Sequence, residues 1–392
     1  MKIVELNIKN YRLFADVRLR DVPDLCVLVG ANGSGKSTLF DVFSFLKDAL
    51  TLNVTKALTR RGGFAEVITR ERQGPIEIEV KFRESGGRLA TYSLKITSEG
   101  GKGIVEREIL KFRRGQRGQP WHFLDFSRGR GSAIVNEEDY GKEQAQQKRE
   151  DQALESPDIL AIKGLGQFQR FRIVSEFRQM IENWHISDFH IQDARPSSEE
   201  GIAEHLSSNG ENLSLVAQFL HENHPEIFGT ILQRMKQRVP GIHSVDAKPT
   251  EDGRILLRFQ DGAFKDPFVA RYVSDGTIKM FAYLVLLYDP TPFPLLAVEE
   301  PENQLYPALL RELCEEFRDY AERGGQVFIS THSPDFLNAV RLEEIYWLRK
   351  KNGVTEIVKA SDNELLRNLV AEGDLAGALW SQGLFEGVDP QS

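Results

Sequence analysis

Apolar and polar residues alternate from the first positions of the chain. Ile3, Leu6 and Ile8, then Val17 and Leu19, mark two strands around a turn at residues 10–12, and the apolar run 25–29 marks a buried third. Leu39, Phe40, Val42, Phe43, Leu46, Ala49 and Leu50 then follow helical spacing. A hairpin is expected from Ile76, Ile78, Val80 and Phe82 on one arm and Tyr92, Leu94 and Ile96 on the other, turning at Ser85-Gly86-Gly87, with short strands continuing to about residue 135. Residues 136–152 contain almost nothing apolar and read as a mobile loop. Helices are expected at 166–185, at 225–239, from 274 to Tyr288 and at 307–323. Strand-like stretches fall at 253–273, 295–298 and 327–330.

Three of these elements meet chemically loaded turns. The 25–29 strand runs into GANGSGKS at 30–37, a phosphate-loop pattern placed between a strand and a helix. Gly30, Gly33 and Gly35 let backbone N–H groups turn inward, with Ser34 between them, and the helix start adds its positive end. Lys36 is placed to reach outer phosphates, Ser37 to offer a hydroxyl to Mg2+, and Asn32 and Thr38 to touch phosphate oxygens. The 295–298 strand ends at Glu299-Glu300-Pro301, where Glu299 suits a metal and Glu300 the attacking water. The 327–330 strand ends at Thr331-His332-Ser333, and His332 can donate a hydrogen bond to a terminal phosphate or the water.

Ser274-Asp275-Gly276-Thr277 opens another helix and forms a second anion-binding helix start. One triphosphate scarcely needs two such starts from one chain, so Ser274 and Gly276 are expected to serve a nucleotide held by a second copy. The expected assembly is a two-fold dimer with two ATP molecules sandwiched between the chains.

In this order the four turns resemble those of the ABC-class ATPases of the RecF, SMC and OLD-like branch, including compact bacterial ATPases labelled AAA family. The resemblance covers nearly the whole chain. It implies an α/β fold: an ABC-type P-loop ATPase head with a mixed sheet, an antiparallel β subdomain and an inserted helical region. NYRLF at 10–14 is similar to the family's N-terminal motif, which implies that Arg12 lies near nucleotide. GANGSGKS is similar to Walker A, SDGT to the signature, LLAVEEPEN to Walker B and ISTHSP to the switch histidine. Glu299 stands where most ABC proteins carry Asp, Asp275 where transporters carry Gly, and Tyr306 where relatives place His or Asp. Gln73 is a weak candidate for the Q-loop glutamine. The implied organisation is an ATPase core from 1–75 and 270–392, with 76–269 inserted.

Composition narrows the function classes. A formal charge of −8 argues against a surface coated in basic residues for duplex DNA. One stretch runs the other way: from Arg107 to Arg130 seven basic residues face two acidic ones, interleaved with Trp121, Phe123 and Phe126. It reads first as a solvated hairpin rim and second as a nucleic-acid contact. Two cysteines and one close pair, His221 and His224, give no metal framework. The N-terminus lacks a secretory pattern and no run suits a membrane helix, so the cytosol is the expected compartment. The 60 residues after His332 are too few for the Toprim nuclease of OLD-like proteins. Any effector, a nuclease or toxin, is then expected to be a separate protein. The resemblance implies an ATP-gated clamp or switch in DNA maintenance or anti-phage defence. The alternative is a slow ATPase that restrains or recruits an effector.

Overall fold

The computed structural model describes residues 1–84, 87–113, 120–140, 142 and 146–386. The chain forms two compact units, one from Met1–Trp184, Arg341–Asp374 and Leu379–Ser392, the other from His185–Val340 and Leu375–Ala378.

The first unit is dominated by an eight-stranded antiparallel sheet. Its strands run in the order Phe14–Arg20, Lys2–Tyr11, Ile76–Arg83, Leu89–Glu99, Lys102–Phe112, Trp121–Ser127, Arg130–Ile134, Arg149–Ala153. Alternation sets one face inward: Ile76, Ile78, Val80 and Phe82 are buried while their neighbours are not. A register shift between Ile3 and Glu5 changes the phase of the first strand, so Ile3 and Leu6 are both buried despite their odd spacing. The Arg172–Glu182 helix packs Phe177 edge-on against Phe82, ring centroids 5.2 Å apart. The Leu25–Gly30 strand is buried at every position. It pairs in parallel with Ile345–Lys351, which pairs antiparallel with Val354–Lys359, giving a mixed arrangement.

The segments between 76 and 153 pair with the N-terminal strand, Leu6 opposite Val80. Contacts therefore group them with residues 1–75, across the boundary expected near residue 75. The polar stretch 136–152 also differs from the loop expected of it. Arg149–Ala153 forms an edge strand against Arg130–Ile134, and Asn136 Oδ1 accepts from Lys148 N at 2.8 Å. A backbone ladder at a sheet edge needs no apolar side chains, so polarity alone was a poor guide there. Gly141 and residues 143–145 lie outside the described residues, as do Ser85 and Gly86 of the hairpin turn. The 166–185 helix is shorter than expected, starting at Arg172.

In the second unit His185–Ser187, Leu296–Glu299 and Val327–Thr331 form parallel pairs, Ala297 lying between Ile186 and Phe328. Leu296–Val298 and Val327–Ile329 are buried at every position, as expected of strands covered on both faces, which explains their unbroken apolar runs. The Asp275–Leu287 helix is buried at every residue from Thr277 to Leu287. Leu310–Glu322 shows the amphipathic pattern of a partly covered helix. Ile242–Pro249 and Arg254–Asp261 make a small antiparallel sheet, with the Leu213–Asn223 and Pro225–Arg238 helices beside it in sequence. Among the described residues no helix is long and apolar enough to cross a membrane.

Candidate nucleotide and catalytic site

In the first unit the buried Leu25–Gly30 strand delivers residues 30–35 to the start of the Lys36–Thr51 helix. Two glycines are demanded by geometry. A Cβ on Gly30 would lie 2.4 Å from Ser34 Oγ and 2.5 Å from Leu348 O. Gly35 has φ 109°, and a Cβ there would lie 2.6 Å from Thr355 Oγ1. Thr355 donates its hydroxyl to Ser34 O at 2.7 Å and so fixes the loop from outside.

The buried Lys36 ammonium donates to Gly30 O at 2.7 Å and Ala31 O at 3.2 Å, folding over its own loop. Ser34 Oγ is buried without a hydrogen-bond partner among the described residues. Gly35 gives the helix no side-chain cap. An unclaimed hydroxyl, a helix start without a side-chain cap and a lysine folded over the loop carbonyls fit a bound phosphate chain. Asn32 and Ser37 are exposed, and Thr38 is buried.

Arg12 adopts φ 49° and sets its Nε 3.0 Å from Asp41 Oδ2. Asp41 also takes Tyr11 Oη at 2.8 Å and Arg61 Nε at 2.7 Å. Burial, with Asp41 beside it, pushes the Tyr11 phenol well above its ordinary range. The motif reading found Arg12 but missed Asp41 and Arg61, whose only signal was an acid on the phosphate-loop helix. Gln73 is exposed in this unit.

In the second unit Glu299 ends its strand and Glu300 turns the chain at φ 44°, a left-handed conformation uncommon outside glycine. Glu300 N donates to Ser330 O at 2.9 Å, fixing this turn beside the next strand. Both carboxylate oxygens of Glu300 are engaged: Oε1 lies 3.2 Å from His332 Nδ1, and Oε2 accepts from Asn303 Nδ2 at 2.9 Å. Glu302 ties the two turns together, its Oε1 accepting from Thr331 Oγ1 at 2.6 Å and His332 N at 3.2 Å. Glu300 and His332 both keep solvent access, with side chains 32% and 49% exposed.

Ser274 caps the Asp275–Leu287 helix, its Oγ accepting from Thr277 N at 3.3 Å. Asp275 pairs with Arg195, whose Nη1 also donates to Ala270 O and Arg271 O at 3.0 Å. Gly276 lies close to the 299–304 turn, since a Cβ there would stand 2.9 Å from Gln304 O.

A cavity of about 700 Å³ opens beside Glu299 and Glu300. Asp188, His190 and Gln192 line it, from the loop after the His185–Ser187 strand. The sequence reading missed this loop. Its strand is three residues long, and only its parallel pairing with Leu296–Glu299 reveals the placement.

The basic stretch does not present its aromatic residues for stacking. Trp121, Phe123 and Phe126 are 2%, 0% and 1% exposed: a register shift opposite Leu110 and Lys111 changes the strand's phase, so residues at odd spacing are all buried. Arg107 pairs with Asp125 at 3.1 Å and Arg128 with Glu99 at 2.5 Å. Arg114 and Arg117 lie outside the described residues. This corrects the nucleic-acid reading of that segment as far as it relied on those rings.

Comparison with known proteins bears on the family and the fold. A 109-residue stretch is 29% identical to the DNA replication and repair protein RecF of Anaeromyxobacter dehalogenans (strain 2CP-1 / ATCC BAA-258), covering 26% of this chain and 28% of that protein. The chain thus spans little more than a quarter of that relative's length. An SMC head solved bound to the C-winged helix domain of ScpA superposes with a TM-score of 0.57 at 14% identity, covering 91% of this chain and 97% of that one. An SMC head with an extended coiled coil, solved with the C-terminal domain of ScpA derived from Pyrococcus furiosus, gives 0.52 at 12% identity over 95% and 100%. The fold is therefore the ABC-type P-loop ATPase head. Residues 25–338 match the family described as "AAA domain, putative AbiEii toxin, Type IV TA system", and the chain belongs to that family.

Proposed function

We propose that this protein hydrolyses ATP and works as a nucleotide-gated dimer. The observation that carries the reading is Glu300, held at both oxygens by His332 and Asn303 in a left-handed turn. A carboxylate fixed this way is suited to orient and deprotonate a water. Gly30, Asn32, Gly33, Ser34, Gly35, Lys36 and Thr38 bind the phosphates, and Arg12 lies near the nucleotide. Ser37 and Glu299 would hold Mg2+, which would supply charge neutralisation to the phosphate chain. Glu300 takes the proton of the attacking water, and His332 donates a hydrogen bond to the terminal phosphate or to that water. Ser274 and Gly276 serve the nucleotide of a second copy, so loss of the terminal phosphate removes a charge that both chains share and loosens the dimer.

The biological setting in this reading is DNA maintenance or anti-phage defence in the cytoplasm. The name of the RecF relative favours the first. The toxin named in the family description favours a second reading, a slow ATPase that restrains or recruits a separate nuclease or toxin. The SMC heads solved with ScpA are precedents for a head that takes a protein partner.

The mass of the protein in solution, with and without ATP and Mg2+, tests the proposal. Glu300→Gln should form ATP-dependent dimers, and Lys36→Ala should not. A mass that never responds to ATP in Glu300→Gln would rule out the role given to Ser274. Hydrolysis by Glu300→Gln at the parental rate would rule out the role given to Glu300.

A further inference from the structure

Lys279 is a buried cation to which the reading above gives no task. It sits near the start of the Asp275–Leu287 helix, is 5% exposed, and lines the cavity beside Glu299 and Glu300. Its ammonium donates to Asn303 O at 2.8 Å and lies 5.6 Å from the centre of the Tyr283 ring. Its hydrogen-bond acceptor is a neutral carbonyl, which an uncharged donor would serve at lower cost. Taking an ammonium out of water carries a desolvation penalty, so a charge in this place calls for an electrostatic reason.

Two carboxylates supply that reason. Burial pulls the Lys279 pKa down to about 8, while Glu302 and then Glu300 act in the opposite direction. Glu302 is 9% exposed, and its Oε2 is buried with no hydrogen-bond partner among the described residues. Its other oxygen is taken by Thr331 and His332. Lys279 is thus a counter-charge for a carboxylate that joins two catalytic turns. The hydrogen bond of Lys279 falls on Asn303, whose side chain donates to Glu300 Oε2 at 2.9 Å. From the helix that Ser274 caps, one cation acts on the orientation of Glu300 and on the seating of the His332 turn.

We propose that Lys279 is a positioning residue for hydrolysis: through Asn303 it holds the Glu300 carboxylate, and through its charge it keeps Glu302 seated against Thr331 and His332. The proposal rests on the reading of Glu300 as the group that orients water. Nothing in it requires Lys279 to touch nucleotide. Its removal should therefore lower turnover and leave binding intact, a division that general loss of structure would not produce.

The test uses the full chain with Lys279→Met, Lys279→Arg, Asn303→Ala and the Lys279→Met/Asn303→Ala pair. Steady-state hydrolysis is measured for each. Affinity for a fluorescent ATP analogue is measured in a Glu300→Gln background, where turnover does not interfere. Lys279→Met and Asn303→Ala should each lower kcat roughly tenfold to a hundredfold. Affinity should stay within about threefold, and the double variant should be no slower than the slower single one. Lys279→Arg should recover most of the rate.

Unchanged kcat in Lys279→Met, multiplying losses in the double variant, or a loss of affinity as large as the loss of rate would each overturn the proposal. If thermal melting shows that Lys279→Met does not fold, Asn303→Ala and Lys279→Arg decide. Full activity in Asn303→Ala overturns it, and a loss there with near-parental activity in Lys279→Arg supports it. Parental turnover in Glu300→Gln would instead overturn the underlying assignment of Glu300.

Discussion

The candidate residues divide into two halves, one in each unit: the phosphate loop of the first, Gly30 to Thr38, is built from main chain over one short stretch, whereas the carboxylate cluster of the second gathers side chains from four separate segments. Those segments are 188–192, 274–279, 299–304 and 331–333. In the first half the ligand-facing groups follow from backbone conformation, so the residues that matter are those that allow it: Gly30, Gly35 and the bracing Thr355. In the second half the backbone brings carboxylates and a histidine to the ends of parallel strands, and function depends on which atom each side chain holds. A local motif therefore tolerates almost no change of shape, while a dispersed cluster tolerates some and loses rate by degrees.

The largest effect is expected of Gly35→Val. With φ 109° and Thr355 Oγ1 only 2.6 Å from the site of a Cβ, the new side chain cannot be accommodated without moving the loop. Affinity for ATP should fall about a hundredfold or more, since backbone N–H groups supply much of such a site. Isothermal titration calorimetry reads it, and affinity within a few fold of the parent would mean that the loop is not shaped by its glycines.

His332→Ala probes the other half. It removes the group 3.2 Å from Glu300 Oε1 but leaves Asn303 on Oε2. Turnover should drop roughly tenfold to a hundredfold with nucleotide affinity little changed. If affinity falls as far as turnover, the carboxylate half is as much a binding element as the phosphate loop, and the contrast between the halves disappears.

A smaller effect is expected at Arg195. Its guanidinium anchors the 270–271 carbonyls and pairs with Asp275, an acid at a helix start assigned to a phosphate. Arg195→Ala leaves that negative charge uncompensated and should weaken ATP-dependent dimerisation of Glu300→Gln about threefold to tenfold, measured by sedimentation. Asp275→Gly in the same chain should recover part of the loss. Equal dimerisation with and without Arg195 would leave Asp275 with no bearing on the second copy.

The same contrast governs what was legible in the sequence. Gly30 to Thr38 could be read because spacing along the chain is the geometry of the loop. Glu300 and His332 could be read because each follows an apolar run that ends at a parallel strand's tip. Lys279, Asn303, Glu302 and Arg195 could not, because their partners lie 3 to 80 positions away and no local pattern encodes which atoms meet. The 188–192 loop was hidden by the brevity of the strand before it. The edge strand Arg149–Ala153 was hidden for the opposite reason: its stability comes from backbone pairing, and its side chains carry no burial signal.

Glu108 separates structural from catalytic carboxylates and should have the least effect on activity. It is wholly buried in the antiparallel sheet, accepting from Tyr92 Oη at 3.0 Å and Ile162 N at 3.1 Å, and also from Ala161 N. Burial raises its pKa to about 7, although all three donors pull the other way. A folded-state pKa above the unfolded one means that the folded chain holds the extra proton. Its contribution to stability is then full below about pH 4.5 and is lost as pH rises to about 7. Glu108→Gln should remove that slope. The stability difference between parent and variant should change by on the order of 2 kcal/mol between pH 5 and pH 8, in the variant's favour as pH rises. Urea unfolding at several pH values measures it, while ATP affinity at pH 7 should stay unchanged. A difference that does not vary with pH would show that Glu108 keeps its charge in the folded sheet, stabilised by its three donors.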